Sequence, residues 1–302
     1  MEQQKNKGQQ ETLRQQETLR QQITWNRKSR PGEEVLHVQE KNGVGYRTFP
    51  SFSQTCVVEH LFSTRMGGVS RGVYSTMNFS FTRGDEKEAV EENYRRVAAL
   101  FGCQASDIVC TDQSHTTNIR CVTNEDKGKG VTRPRDYHDV DGLVTDEPGI
   151  VLAAFTADCV PLYFLDPVKR VIGLAHSGWR GTVGRIGDGM VRLMQDQYGC
   201  KKKNILAAIG PSICADCYEV SEDVAGAFRD SFGDSVLRDG IVKGKYQLDL
   251  WKANELVLLQ AGLSKEQITV TDICTRCNAE YLFSHRASGG KRGNLGAFLM
   301  LK

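Results

Sequence analysis

Four stretches of the chain carry apolar residues at helical spacing, and short apolar runs separate them. Val90, Tyr94, Val97 and Phe101 share one face behind Asp85 and Glu88, a capping signature with Asp85 as N-cap, and the pattern stops at Gly102. Ile186, Met190, Met194 and Tyr198 repeat it up to Gly199. Ser221 opens a third stretch with Val224 and Phe228 ahead of Gly233, and Asp249 a fourth with Ala253, Leu256, Val257 and Gln260 ahead of Gly262. Strand-like runs occupy residues 57–62, 108–111, 119–123, 149–155, 205–209 and 268–273, while Asn42-Gly43 between two β-prone runs marks a hairpin. This alternation predicts an α/β layered protein with some antiparallel hairpins. No linker interrupts it after residue 35, so residues 35–302 are expected to form one domain. Residues 1–34 are expected to be a disordered glutamine-rich tail, because the tandem Gln-Gln-Glu-Thr-Leu-Arg repeat within residues 9–22 has too few apolar side chains to offset ordering entropy.

Composition narrows the classes. A hydrophobic fraction of 39% and a charged fraction of 25% are ordinary for a soluble globule, and 302 residues can bury a sizeable core. The formal net charge of +2 comes without a sustained basic stripe, which gives no electrostatic case for nucleic acid; Lys201-Lys202-Lys203 and Lys291-Arg292 read as solvated clusters. The longest apolar runs fall far short of the roughly 18 residues of a membrane-spanning helix, and the first residues lack the apolar stretch of an export signal. The expected location is the cytoplasm. Ten cysteines there read as reduced thiols, metal ligands or buried apolar groups rather than a disulfide framework, with Cys56, Cys103, Cys110, Cys121 and Cys200 as plain structure.

Chemistry enters at Cys159 and His176. Residues 160–165 and 170–175 read as strands joined by a turn, and a turn centred on Pro167 and Val168 would set Cys159 directly opposite His176. Opposed side chains on an antiparallel pair have Cβ atoms roughly 5 Å apart, which suits a thiolate–imidazole pair or a shared ion. A four-residue loop keeps that pairing, whereas a three-residue loop would shift it by one and send them to opposite faces. Pro161 lacks the N–H a ladder needs, so the first strand begins near it or is an edge there. A nucleophile pair would need a third group to orient the imidazole; a catalytic metal would need a third ligand and an open position. His37 and His60 in early strands, His115 just past residue 111, His138 in a polar loop and His285 in a C-terminal strand all compete for that place, and the pattern does not choose.

Two other features stand apart. Cys214-Ala-Asp-Cys217 and Cys274-Thr-Arg-Cys277 have the internal spacing of a four-cysteine zinc site, but the pairs lie far apart in the chain, and local packing is the preferred reading. Arginines gather with glycines after residue 63 at Arg65, around Arg180, and in residues 284–293 around Arg286, where guanidinium forks could meet phosphate oxygens. Neither phosphate-cradling glycine signature, GxxxxGK[ST] or GxGxxG, occurs.

Taken together, Ala-Asp-Cys-Val-Pro-Leu (157–162), His-Ser-Gly-Trp-Arg-Gly-Thr (176–182), Ile-Gly-Pro-Ser-Ile-Cys (209–214), Cys-Tyr-Glu-Val (217–220) and Phe-Ser-His-Arg (283–286) resemble the laccase-domain family. That family was long labelled multicopper polyphenol oxidase and was reassigned as zinc-dependent purine nucleoside phosphorylases. Phe-Ser-Thr-Arg (62–65), Gly67-Gly68 and Asp141-Gly142-Leu143 extend the match. The resemblance implies a single-domain αββα-type sandwich of mixed and antiparallel strands, similar to cysteine-hydrolase folds. It also implies that Gln113-Ser114-His115 supplies the missing ligand, giving a Zn²⁺ set of His115, Cys159 and His176, although Thr116-Thr117 replaces the small residue usual after that histidine.

The implied reaction is a pentosyl transfer. Phosphate would cleave adenosine, inosine, guanosine and methylthioadenosine to base and ribose 1-phosphate, with adenosine deamination, a hydrolase reaction, as a possible companion. Arg65, Arg180 and Arg286 are the candidate phosphate or substrate contacts, Cys159 and His176 are catalytic, and Asp158 is a candidate proton carrier despite a pleat that points it away from Cys159. The expected partners are purine nucleosides and phosphate, for a monomer or weak homodimer. Two alternatives remain: a copper-dependent polyphenol oxidase, for which six histidines are too few to build a blue site and a trinuclear cluster, and a non-catalytic nucleoside-binding protein with structural zinc.

Overall fold

A computed structural model describes residues 25–28 and 34–302. Two six-stranded sheets stack face to face. The first runs β1 (His37–Lys41), β2 (Val44–Thr48), β3 (Val58–Ser63), β15 (Leu295–Leu301), β7 (Val151–Thr156) and β4 (Ile108–Cys110), antiparallel except for the last pair. The second runs β14 (Ile268–Val270), β10 (Leu206–Ile209), β8 (Val160–Asp166), β9 (Val171–Ser177), β6 (Gly142–Thr145) and β5 (Ile119–Cys121), with parallel pairs only at its two edges. A third, three-stranded sheet of β11 (Glu219–Ser221), β13 (Lys245–Leu248) and β12 (Leu237–Asp239) flanks the second.

Of the helices, α1 (Pro50–Ser53) links β2 to β3, and α2 (Lys87–Leu100) covers the outer face of the first sheet. The outer face of the second is covered by α3 (Trp179–Val183), α4 (Ile186–Tyr198), α5 (Glu222–Phe232) and α6 (Leu250–Gln260). The layers are therefore helix, sheet, sheet, helix. This is the mixed α/β sandwich that the sequence predicts.

Burial on both faces explains why β8 and β9 read as unbroken apolar runs. Along β8, Leu162 and Phe164 turn to the helices while Tyr163 and Leu165 enter the inter-sheet core, and along β9, Ile172 and Leu174 do the same. Gly173 in β9 leaves the space that the Met190 side chain of α4 fills: a Cβ there would lie 2.6 Å from Met190 Sδ, so a larger residue would make that side chain move. The Tyr163 hydroxyl crosses the inter-sheet layer and donates to the Leu61 carbonyl at 2.9 Å.

Several elements differ from expectation for identifiable reasons. Helix α2 starts one residue late, with Glu86 as N-cap, because the Asp85 carboxylate accepts from the Asn78 side chain and the Glu86 N–H and is bound into the preceding loop. Asp249 caps α6 as predicted, accepting from Lys252 N at 3.0 Å. Ser221 is the N-cap residue of α5, but its hydroxyl bonds the Asp223 carboxylate rather than a backbone N–H. His285 is not in a C-terminal strand; it opens the short helix α7 (His285–Ser288), with Ser284 accepting from Ala287 N. The strands β6 and β15 and the small third sheet lie outside the predicted set. The expected boundary at residue 35 also shifts. Trp25 packs on Tyr281 with ring centroids 5.1 Å apart beneath Arg47, and Arg27 pairs with the buried Asp272 at 2.8 Å, so residues 25–28 belong to the folded body. The glutamine-rich repeat lies outside the described residues.

Tyr163→Phe removes the inter-sheet hydrogen bond and leaves the buried Leu61 carbonyl without that partner. The expected cost is about 1–2 kcal/mol, read as a lower urea midpoint at unchanged slope.

Candidate metal centre

The strand register places the two central residues differently from the simple turn. The observed pairs are Asp166 with Val171 and Pro161 with His176, so the loop is residues 167–170. Asp166 shifts it: its side chain accepts from the N–H groups of Val168 and Lys169, both at 2.9 Å, and Arg170 closes the loop in the left-handed region at φ 55°. His176 is thus opposite Pro161, two residues beyond Cys159. A displacement of two preserves the face, so the thiol and the imidazole still converge.

Continuing that register sets Gly178 across from Cys159. A Cβ on Gly178 would come within 2.6 Å of His115 Nδ1 and 3.3 Å of Cys159 Sγ. The gap left by this glycine is where the His115 ring sits. Of the five competing histidines, His115 is the one that completes the cluster: the donor atoms of His115, Cys159 and His176 all lie within 4.8 Å of one another, and the two rings are 4.9 Å apart.

One buried carboxylate arranges both imidazoles. Asp141 immediately precedes β6, and its Oδ1 accepts from His176 Nδ1 at 2.7 Å. The same carboxylate accepts from the N–H groups of Ser114, His115 and Thr116 at 3.1, 3.2 and 2.9 Å and from the Thr116 hydroxyl at 3.0 Å. These bonds hold the tight turn in which His115 adopts φ 66°. With Nδ1 engaged by Asp141, His176 turns Nε2 toward the thiol, the tautomer a metal ligand requires. The sequence reading assigned Asp141 no role; its place in the Asp141-Gly142-Leu143 motif was the available signal.

The electrostatics follow from this packing. Burial pushes the His176 imidazole down, but Cys159 and Asp141 outweigh it and raise it to about 9. His115 is lowered by burial and by the neighbouring His176. For Asp141, burial acts upward, yet His176 and the N–H groups of Thr116 and Ser114 hold the carboxyl below its usual range. Two nitrogens and one sulfur suit a borderline-soft divalent ion, and three protein ligands leave a tetrahedral ion one position for a guest.

That position faces a cavity of about 290 Å³, lined by Phe79, Phe81, Tyr94, Phe155, Arg83 and Arg292, with Thr156 and Asn294 among its polar walls. Arg292 is pushed down to about 10 by burial and by Arg83, and both guanidiniums donate to the Asn294 side-chain oxygen. Arg292 Nε and the Thr156 hydroxyl are buried without a hydrogen-bond partner among the described residues.

The arginines singled out from sequence lie elsewhere. Arg65 donates to the carbonyls of Ser75 and Ala279 and stacks on Phe283. Arg286 donates to the Glu219 carbonyl and lies over Tyr218. Arg180 is exposed, lies over Trp179, and is near enough to act on His115. Asp158, at φ 90°, turns the chain into β8; its carboxylate accepts from the Thr275 hydroxyl at 2.6 Å and from Arg286 N at 2.7 Å rather than facing the thiol. The remaining histidines do not join the centre. Buried His60 accepts from Phe49 N and is lowered to about 4, His138 is beside Asp112, and His37 lies on β1. Among the described residues only one other group could hold an ion, the four cysteines of the two CxxC pairs, so no histidine cluster for a multicopper centre is present there.

Residues 59–302 match the family model described as multi-copper polyphenol oxidoreductase laccase. The chain belongs to this family. It is 38% identical over 246 residues to the purine nucleoside phosphorylase YlmD of Bacillus subtilis, a match covering 80% of this chain and 87% of that protein. It is 35% identical over 237 residues to adenosine deaminase RL5 from an unknown prokaryotic organism, covering 77% and 90%. The crystal structure of YlmD from Geobacillus stearothermophilus superposes with a TM-score of 0.81 at 36% identity, covering 89% of this chain and 99% of that one. No described helix is long and apolar enough to cross a membrane.

Asp141→Asn is expected to weaken metal binding roughly 10–100-fold, the usual effect of losing a ligand's orienting partner, measured by competition with a chelator. The raised His176 sets the sign of a second outcome. In metal-free protein its charged form is favoured by the fold, so that stabilisation is complete below about 6.5, its unfolded value, and is lost as pH rises through about 9. Urea midpoints of the metal-free protein should fall across that interval, and less so in Asp141→Asn.

Proposed function

We propose that this family member is a zinc-dependent purine nucleoside phosphorylase that transfers the pentosyl group of adenosine, inosine, guanosine and methylthioadenosine to phosphate. The observation that carries the reading is the His₂Cys set opening onto a cavity lined by aromatic rings and by two arginines that have no carboxylate ion pair among the described residues. His115, Cys159 and His176 would hold Zn²⁺, which when bound supplies Lewis acidity toward a water or a substrate oxygen.

The protein's own groups account for the rest. Arg292 and Arg83 offer a site for the phosphate dianion, and the orphaned Arg292 Nε and Thr156 hydroxyl gain the partners they lack. Phe81 and Phe155 give the purine an apolar wall. Phosphate oxygen forms the new bond to ribose C1′ as the C1′–N9 bond breaks, and the pair of electrons leaves with the base. Positive charge that builds on the sugar then meets the anion held by the arginines. In this scheme Cys159 and His176 act as ligands, and Asp158 is a positioning residue that fixes the backbone beside Cys159. Of the sequence-selected arginines, Arg180 is the one whose charge acts on His115, whereas Arg65 and Arg286 donate to carbonyls of neighbouring loops and strands.

Adenosine deamination at the same centre is a second activity we propose, supported by the similarity to a relative named for it and by a donor set suited to activating water. A non-catalytic role with structural zinc is disfavoured by the ligand count, since structural zinc is closed by four protein ligands.

Zinc-loaded protein is expected to release ribose 1-phosphate and hypoxanthine from inosine only when phosphate is supplied; absence of both products at full metal occupancy would refute the reading. Cys159→Ala should abolish turnover while the chain still melts cooperatively, with the zinc-dependent rise in melting temperature lost. Arg292→Gln should raise the KM for phosphate roughly ten- to hundredfold, the size of one lost charge-assisted hydrogen bond, with less change in the KM for inosine.

A further inference from the structure

The two CxxC pairs, expected to be local packing, come together. Cys214 and Cys217 lie on the loop after β10, Cys274 and Cys277 on the loop after β14, and all four sulfurs are within 4.8 Å of one another. The parallel pairing of β10 with β14 brings the two loops side by side, and a bridge between Ser212 and Cys274 continues that pairing. We propose that these four cysteines bind a second, structural zinc ion, separate from the His115–Cys159–His176 centre.

Three observations carry the proposal. The spacing is that of a mononuclear ion: zinc–sulfur bonds of about 2.3 Å at tetrahedral angles separate sulfurs by about 3.8 Å, and Cys217 Sγ lies 3.5 Å from Cys277 Sγ. An iron–sulfur cluster would hold the four thiolates apart by its own width. The backbone is also shaped for thiolates. Cys274 Sγ accepts from Cys214 N at 3.3 Å and from Cys277 N at 3.4 Å, so each loop offers an N–H to the same sulfur. Finally, cationic side chains lie beside the sulfurs: Arg276 is close enough to interact with Cys217, and Lys28, ion-paired with Asp216 at 3.3 Å, is close enough to interact with Cys214 and Cys277.

The ion would act as a staple behind the first centre. Thr275, between the ligands Cys274 and Cys277, donates its hydroxyl to Asp158, and Ile213, beside Cys214, donates its N–H to the Asp158 carbonyl. Both cysteine loops therefore grip the residue that precedes Cys159.

Elemental analysis of the full chain, purified reduced, is expected to give about two zinc ions per chain, about one for His115→Ala/His176→Ala and about one for Cys214→Ser/Cys274→Ser. The histidine variant keeps the cysteine site testable even if the cysteine variant does not fold. Loaded with cobalt(II), it should give the intense thiolate-to-metal charge-transfer and tetrahedral ligand-field bands of a four-sulfur site. A histidine variant that binds no ion, or a native chain in which peptide mapping finds Cys217 and Cys277 joined as a disulfide, would overturn the proposal. Because this reads metal in a chain whose first centre is deleted, its failure would leave the phosphorylase reading untouched.

Discussion

The buried carboxylate of Asp141 is the constraint on which the site depends. A charge removed from water is stable only if its lone pairs are filled, and here three backbone N–H groups, a hydroxyl and an imidazole fill them. Satisfying that one group turns residues 114–116 into a tight bend, aims His115 at the thiol and fixes the ring and tautomer of His176. Two imidazoles from distant parts of the chain are thus set by one carboxylate.

The Cys159 thiol is placed by a different device. Asp158 adopts a left-handed conformation that few non-glycine residues tolerate, and it is held there by bonds to Ile213, Thr275 and Arg286. Those partners sit on loops following β10 and β14 and on α7, so the position of Cys159 is decided by elements that close the far side of the second sheet. Gly178 completes the arrangement by an absence, since any side chain there would occupy the space of the His115 ring.

Two polar groups on residues of the adjoining cavity are left without partners among the described residues. Arg83 and Arg292 both donate to the Asn294 side-chain oxygen, and Arg292 Nε and the Thr156 hydroxyl, on two residues that line the cavity, are buried without partners among the described residues. Buried polar groups left in that condition cost free energy unless a guest completes them. Arg65, by contrast, spends two of its donors on the carbonyls of Ser75 and Ala279, away from the cavity.

Local physics made much of this legible from sequence. Periodicity located the four long helices to within one or two residues, the Asn42-Gly43 hairpin formed as its chemistry requires, and the α/β layering followed from alternation. Cys159 and His176 were recognisable because a strand–turn–strand segment brings near residues together with few degrees of freedom. What the sequence could not decide was anything set by partners remote in the chain: the two-residue register shift imposed by the Asp166 side chain, the selection of His115 by Asp141, the central strand β15, whose pairing partners lie more than a hundred residues away, the convergence of the two CxxC loops, and which arginines face the cavity. Short-range patterns determine elements because they depend on neighbours a turn or a pleat away; the site needed tertiary structure because its donors meet only after the sheets have stacked.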